Sequence, residues 1–182
     1  MGIDPGLAAT GIGIVQGCGM QVAGHAYGSI RTASKAQLPV RLEQIHTRTC
    51  ALLRAEAPDL VVIEEAFSLE RYPKSGLTLG KVIGVLLLAA QHCALPVAHV
   101  AVREAKHILT GNGNASKRQL EAAVRHLLKL DAPIRPDHAA DALGLALVGL
   151  YRYAHLRPEV KPAREAMPRP ASGRGAAPRR RP

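Results

Sequence analysis

The sequence predicts an α/β protein built on a five-stranded mixed sheet with helices on both faces. The first thirty residues read as strands broken by glycine-containing turns, and two later runs are short, continuous and apolar. The stretches between and after those runs repeat their apolar residues with a helical period. An antiparallel start, followed by strands that alternate with helices, gives a sheet whose later strands run parallel and whose two faces are both covered. At 182 residues, 47% of them hydrophobic, the chain can bury a core of its own. With no Trp, one Phe and four Tyr, that core must be made of Leu, Val, Ile and Ala.

Each element has its own signal. Gly2-Ile3-Asp4 reads as the end of a first strand, residues 10–16 as a second and residues 20–30 as a third. Gly17-Cys18-Gly19 reads as the turn between the last two. Residues 38–57 place Leu38, Leu42, Ile45, Leu52 and Leu53 on one helical stripe and leave Arg41, Glu43, Arg48 and Arg54 for solvent. Pro58 ends that helix. Leu60-Val61-Val62-Ile63 has the pattern of a strand buried on both faces in a parallel sheet. Residues 81–93 form a helix, and residues 96–100 another short buried strand. Helices follow at about 102–109 and 116–128, separated by the glycine-bearing loop 110–114, with Ser116 placed to cap the second. The last helix starts at Pro136, runs to about residue 155 and is nearly apolar after Asp141. Beyond it the composition shifts to Pro, Arg, Ala and Gly. The expected organisation is a folded domain over residues 1–156 and a basic, disordered tail over residues 157–182.

The formal charge of +10 points to a polyanionic partner such as nucleic acid. Residues 157–182 carry eight Lys or Arg against two Glu, which leaves the body only mildly basic. The competing reading is an Arg- and Ala-rich composition with no partner behind it. Cys18, Cys50 and Cys93 lie far apart in the sequence, without metal-type spacing, and read as reduced thiols. The Met-Gly-Ile-Asp start is not a signal peptide, and the apolar run 82–90 is too short to span a bilayer. The expectation is a soluble cytoplasmic protein without a membrane partner.

The acids fall where metal chemistry wants them. Asp4 ends the first strand, just before Pro5-Gly6, while Glu64 and Glu65 end the strand that starts at Leu60. The carboxyl edge of an open α/β sheet is where ligands gather. In Pro136-Asp137-His138-Ala139-Ala140-Asp141, helical spacing puts His138 and Asp141 on one face, and equally Asp137 and Asp141. Hard oxygen ligands suit Mg²⁺, and two such ions can activate water and stabilise the leaving oxygen in phosphodiester hydrolysis. Each acid also has a plainer reading. Asp4 could cap the turn at Pro5-Gly6, and Asp137 could cap its helix. His138 could be a surface histidine, and Glu64 and Glu65 alternate in direction, so at most one faces a given site.

The segments Gly2-Ile3-Asp4-Pro5-Gly6, Ile63-Glu64-Glu65-Ala66-Phe67 and Asp137-His138-Ala139-Ala140-Asp141-Ala142 resemble the bacterial RuvC family of Holliday-junction resolvases. Their order and intervals match as well, as does the Leu79-Gly80 and Gly84 pattern within residues 77–84, and the likeness covers about residues 1–156. The resemblance implies an RNase H-like fold of the retroviral integrase superfamily. It also implies a homodimer that nicks two strands symmetrically across a four-way DNA junction, working with a RuvA–RuvB branch-migration complex. It implies two Mg²⁺ or Mn²⁺ ions per active site, held by Asp4, Glu64, His138 and Asp141. Many relatives carry an acid where His138 stands. An imidazole favours a transition metal, so Mn²⁺ is expected to support activity at least as well as Mg²⁺. Phe67 matches an aromatic suited to stacking on an unpaired base at the crossover. Lys106 and Lys117 match phosphate-contacting positions, and Arg118 reads as an ordinary surface charge. Arg71, Tyr72 and Lys74, in the loop expected over residues 68–75, are placed along the DNA.

Two departures stand out. The family has a few more apolar residues before its first motif, whereas only three precede Asp4 here, so the expected start lies upstream. The arginine tail is outside the family pattern and is expected to add salt-sensitive, sequence-independent DNA affinity. Other readings keep part of the same features. Gly2-Ile3-Asp4-Pro5-Gly6 with Thr10-Gly11 also resembles the phosphate hairpin of actin-like ATPases and sugar kinases, but no second hairpin with an acid follows. A catalytically silent DNA-binding module would keep the fold and the basic surface. An RNA-processing nuclease of the same superfamily would keep the strand-end Asp.

Overall fold

The computed structural model describes residues 1–65 and 73–153. The elements run β1 (Gly2–Asp4), β2 (Ala9–Cys18), β3 (Gln21–Arg31), α1 (Leu38–Glu56), β4 (Val61–Glu65) and α2 (Pro73–His92). They continue with β5 (Val97–Ala101), α3 (Val102–Thr110), α4 (Lys117–Leu128) and α5 (Asp137–Tyr153). The sheet order is β3-β2-β1-β4-β5. The first three strands pair antiparallel, and β1, β4 and β5 run parallel. This is the element order that the sequence predicts.

Most boundaries move by a residue or two, and two shifts change the reading. Strand β2 continues through Cys18 and the chain reverses at Gly19-Met20. Gly19 takes a left-handed φ of 57°, while Gly17 stays in the ladder opposite Val22 after a register shift between Gln16 and Gly17. Helix α2 begins at Pro73 rather than at residue 81, so residues 73–75 belong to a helix and not to a loop. A proline in a first helical turn costs no hydrogen bond, whereas Gly76, Gly80 and Gly84 hide the period from a sequence reading. The full helix is long and apolar enough to cross a bilayer by length and composition, unlike the shorter run read from sequence. Its inward residues Val82, Leu86, Ala89 and Ala90 are nevertheless fully buried in the core.

Two layers sandwich the sheet. On one face Ile3, Ile12, Val61 and Ile63 pack with Ile45 and Leu53 of α1 and Val82 and Leu86 of α2. On the other, Val62 and Val100 pack against Leu145 and Val148 of α5, and α4 closes over Leu143 and Leu147. Strand alternation therefore assigns the acids. Val61 and Ile63 face α1 and α2, so Glu64 lies on the α5 face together with Val62, and the exposed Glu65 does not. Asp4 shares that same face with Gly2, which lies directly under α5.

Candidate active site

The site is assembled by one close approach. A β-carbon at Gly2 would stand 2.1 Å from the Ala142 carbonyl oxygen, one at Gly11 2.1 Å from that of His138, and one at Gly13 2.4 Å from the Leu143 amide nitrogen. Gly2 pairs with Gly13, and Asp4 with Gly11. The three glycines thus form a bare strip across β1 and β2 on which the α5 backbone rests. Only hydrogen at these positions lets the start of α5 come down onto the carboxyl end of β1. These glycines are missing from the sequence-based candidates. Their signal is glycine at alternate positions of one strand, with Ile12 and Ile14 pointing the other way.

Asp4, Glu64, His138 and Asp141 meet there. His138 Nδ1 lies 2.8 Å from Asp4 Oδ2, and Lys117 Nζ lies 3.1 Å from Asp141 Oδ2. Asp4 and Glu64 hydrogen-bond each other. Burial, the largest influence, raises Asp4 to about 6, with the Glu64 contact opposing and the Asp141 charge adding to the rise. Burial likewise pushes Glu64 up to about 8, reinforced by its contact with Asp4 and by the charges of Asp4 and Asp141. Both carboxyls are thus shifted towards the protonated form by burial and by their mutual proximity. Asp141 holds the Lys117 ammonium above its ordinary range. Lys117 owes its place to α4, whose Ser116 and Gln119 form a reciprocal capping box one residue before it.

The plainer roles are filled by other groups. The turn after Asp4 is held by Thr10 Oγ1 donating to the Gly6 carbonyl at 2.8 Å and Thr32 Oγ1 donating to that of Leu7 at 2.6 Å. Asp4 Oδ2 is directed at His138 of α5. Asp137 is exposed, is the first residue of α5 and pairs with Arg135, outside the cluster. Lys106 is half-buried on α3 and Arg118 is exposed on α4. Phe67, Arg71 and Tyr72 lie outside the described residues, as does the tail 157–182, and Lys74 stands in the first turn of α2.

An acid-rich cluster that retains a proton to limit its own repulsion is short of positive charge, and such a centre accepts divalent cations. Comparison with known proteins agrees with this chemistry. The family model described as crossover junction endodeoxyribonuclease RuvC matches residues 1–149. A crossover junction endodeoxyribonuclease RuvC of Syntrophomonas wolfei is 38% identical over 153 residues, covering 84% of this chain and 88% of the relative. The solved Thermus thermophilus RuvC in complex with Holliday junction substrate superposes with a TM-score of 0.78 at 31% identity, covering 85% of this chain and 93% of that one. The yeast mitochondrial Holliday junction resolvase Ydc2, at 13% identity and a TM-score of 0.55, shares the fold. The fold is RNase H-like, and the chain belongs to the RuvC family of crossover junction endodeoxyribonucleases.

Proposed function

We propose that this protein is a structure-selective endonuclease that resolves four-way DNA junctions by paired symmetric nicks, as recombination and repair require. The carrying observation is the convergence of Asp4, Glu64, His138 and Asp141 at the carboxyl ends of two adjacent parallel strands, in a chain of this family. The donor set fits two ions of Mg²⁺ or Mn²⁺, with these four residues as the proposed ligands. Bound there, divalent ions supply positive charge to the scissile phosphate and to its leaving oxygen. Asp4 and Glu64 would hold such ions as carboxylates, so their raised titration makes binding favour higher pH. His138, already against Asp4, contributes the nitrogen that favours Mn²⁺. Lys117, held at the rim by Asp141, is poised to exchange that carboxylate for a DNA phosphate. Lys106, Arg71, Tyr72 and Lys74 are proposed to follow the DNA backbone, and Phe67 to stack on an unpaired base at the crossover.

Cleavage of a synthetic four-way junction and a matched linear duplex, in Mg²⁺ and in Mn²⁺, tests this reading against Asp4→Asn. The expected outcome is paired nicks on the junction alone, lost in Asp4→Asn while junction binding persists, and at least as fast in Mn²⁺ as in Mg²⁺. Binding without cutting in either metal would favour the silent module, and no preference for the junction would favour an RNA substrate. Ending the chain at residue 156 in the same assay should leave the cut position unchanged and make the salt dependence of binding shallower.

Two symmetric cuts need two centres, and each chain supplies one such cluster, so the proposed working unit is a homodimer. Helix α2 offers the surface for it. Leu77 and Leu88 are exposed, and Gly80 and Gly84 leave open space on the same side of the helix. A partnership with a RuvA–RuvB complex follows from the family resemblance and would appear as a joint complex on junction DNA.

A further inference from the structure

A second constellation lies in the opposite layer, between α1 and α2. His46 and Cys50 stand one turn apart on α1, and His92 is the last residue of α2. The chain after His92 leads to the start of β5, so this end of α2 is at the sheet edge opposite the carboxylates. His46 Nε2 lies 3.2 Å from His92 Nδ1 and 3.7 Å from Cys50 Sγ, and all three donor atoms fall within 4.8 Å of one another. His46 and Cys50 are four residues apart, but His92 is distant in sequence, so the cysteines show no metal-type spacing among themselves.

The distances are those of a coordination shell. Tetrahedral bonds of about 2.05 Å to nitrogen and about 2.3 Å to sulfur put two nitrogens about 3.3 Å apart and a nitrogen and sulfur about 3.6 Å apart. The observed 3.2 and 3.7 Å match two of the three edges, and the third, between Cys50 and His92, is within 4.8 Å. The three residues also grade from core to solvent: Cys50 is buried, His46 half-buried and His92 exposed. The sulfur is on the core side of the cluster and the His92 imidazole on the solvent side. Cys93, next to His92, donates its thiol to the Cys50 carbonyl, 3.9 Å away, and also lies beside the Cys50 thiol.

We propose that His46, Cys50 and His92 bind one borderline transition-metal ion of the Zn²⁺ class, tying α1 to α2 at a site separate from the nuclease centre. One sulfur and two imidazole nitrogens suit Zn²⁺ or Co²⁺ and do not suit Mg²⁺, which takes oxygen ligands. The two sites of the molecule therefore differ in metal class. The ion fixes the C-terminal end of α2 on α1 and stabilises that layer of the fold.

The test is a Co²⁺ titration of the full chain, freed of metal and kept reduced. The expected result is a thiolate-to-metal charge-transfer band with tetrahedral d–d absorption that saturates at one equivalent of cobalt, whatever further cobalt the carboxylate centre takes, and that is lost on adding Zn²⁺ but not Mg²⁺. Cys50→Ala and His92→Ala should each abolish the band and weaken Zn²⁺ binding at least about 10-fold. Cys18→Ser and Asp4→Asn should leave both unchanged. His92 is exposed, so His92→Ala tests the site without disturbing the core. Absence of the band in the wild type overturns the proposal, leaving a hydrogen-bonded triad. So does its survival in both Cys50→Ala and His92→Ala.

Discussion

Asp4 and Glu64 are held by the fold in a state that metal-free solution disfavours, and that state gives the protein a pH signature. Burial raises both carboxyls, Asp4 to about 6 and Glu64 to about 8, against ordinary values of 3.8 and 4.5. Between the ordinary and the raised values the folded protein keeps protons that the unfolded chain has lost, so stability falls as pH rises through that window. The groups that face the pair are Asp141 and His138 from α5 and Lys117 from α4. Of these, Lys117 favours the charged carboxylates and Asp141 opposes them. A bound divalent cation reverses the balance, since it binds the deprotonated form and replaces the missing positive charge. Melting of the protein at pH 5.5 and 8.5, with and without Mg²⁺, should therefore show a metal-free Tm that drops with pH. The rise on adding Mg²⁺ should be larger at pH 8.5. In Glu64→Gln both trends should shrink, and a Mg²⁺ effect that is the same at both pH values would speak against a metal held by these carboxyls.

At the scale of the element, the decisive contact is helix α5 lying on the glycine strip of β1 and β2. Ala at Gly11 would bring a β-carbon to 2.1 Å from the His138 carbonyl oxygen, a backbone atom that cannot rotate away. Overpacking of this kind costs about 1–3 kcal/mol, and here the displaced backbone is the one that carries His138 and Asp141. Gly11→Ala should lower the urea midpoint accordingly and cut junction cleavage more than junction binding. Gly28→Ala in β3, where a β-carbon meets nothing within 4 Å, is the matched control and should change stability by less than about 0.5 kcal/mol. The contrast shows what a sequence reveals about elements. Alternation and helical period are local, so β4, β5, α1 and the capped α4 could be read directly from apolar spacing. The start of α2 was hidden by glycines, and the hairpin turn was displaced because Gly17 and Gly19 look alike in sequence, whereas only Gly19 takes a positive φ. Nothing local says that Gly11 serves the packing of a helix more than a hundred residues away.

Over the whole molecule, the same distinction separates the parts of the site. Strand alternation predicts that only one of Glu64 and Glu65 faces a given site, and helical spacing puts His138 and Asp141 on one face. That Asp4, Glu64 and α5 converge depends on sheet order and on which face α5 covers, which period alone does not encode; the family resemblance supplied it. The His46, Cys50 and His92 cluster had no such guide: the one short spacing in it, His46 to Cys50, gives two ligands, and His92 arrives only through the packing of α2 on α1. The proposed dimer belongs to this scale too. Helix α2 has only 22% of its Ser75–His92 stretch buried within one chain, and its outward Leu77 and Leu88 are 64% and 49% exposed. Gly80 and Gly84 lower the surface between them, so a partner helix can approach closely. A charge placed at the edge of that strip would be desolvated on pairing and should split the dimer. The wild type should sediment as a dimer and Leu88→Arg as a monomer at the same concentration, with the fold and the metal-dependent melting unchanged. On a supercoiled plasmid with an extruded cruciform, the wild type should give linear DNA from two coupled cuts. The monomer should give nicked circles, because a first nick relaxes the plasmid and removes the junction before a second centre arrives. A Leu88→Arg protein that stays dimeric and still linearises the plasmid would move the interface to another face.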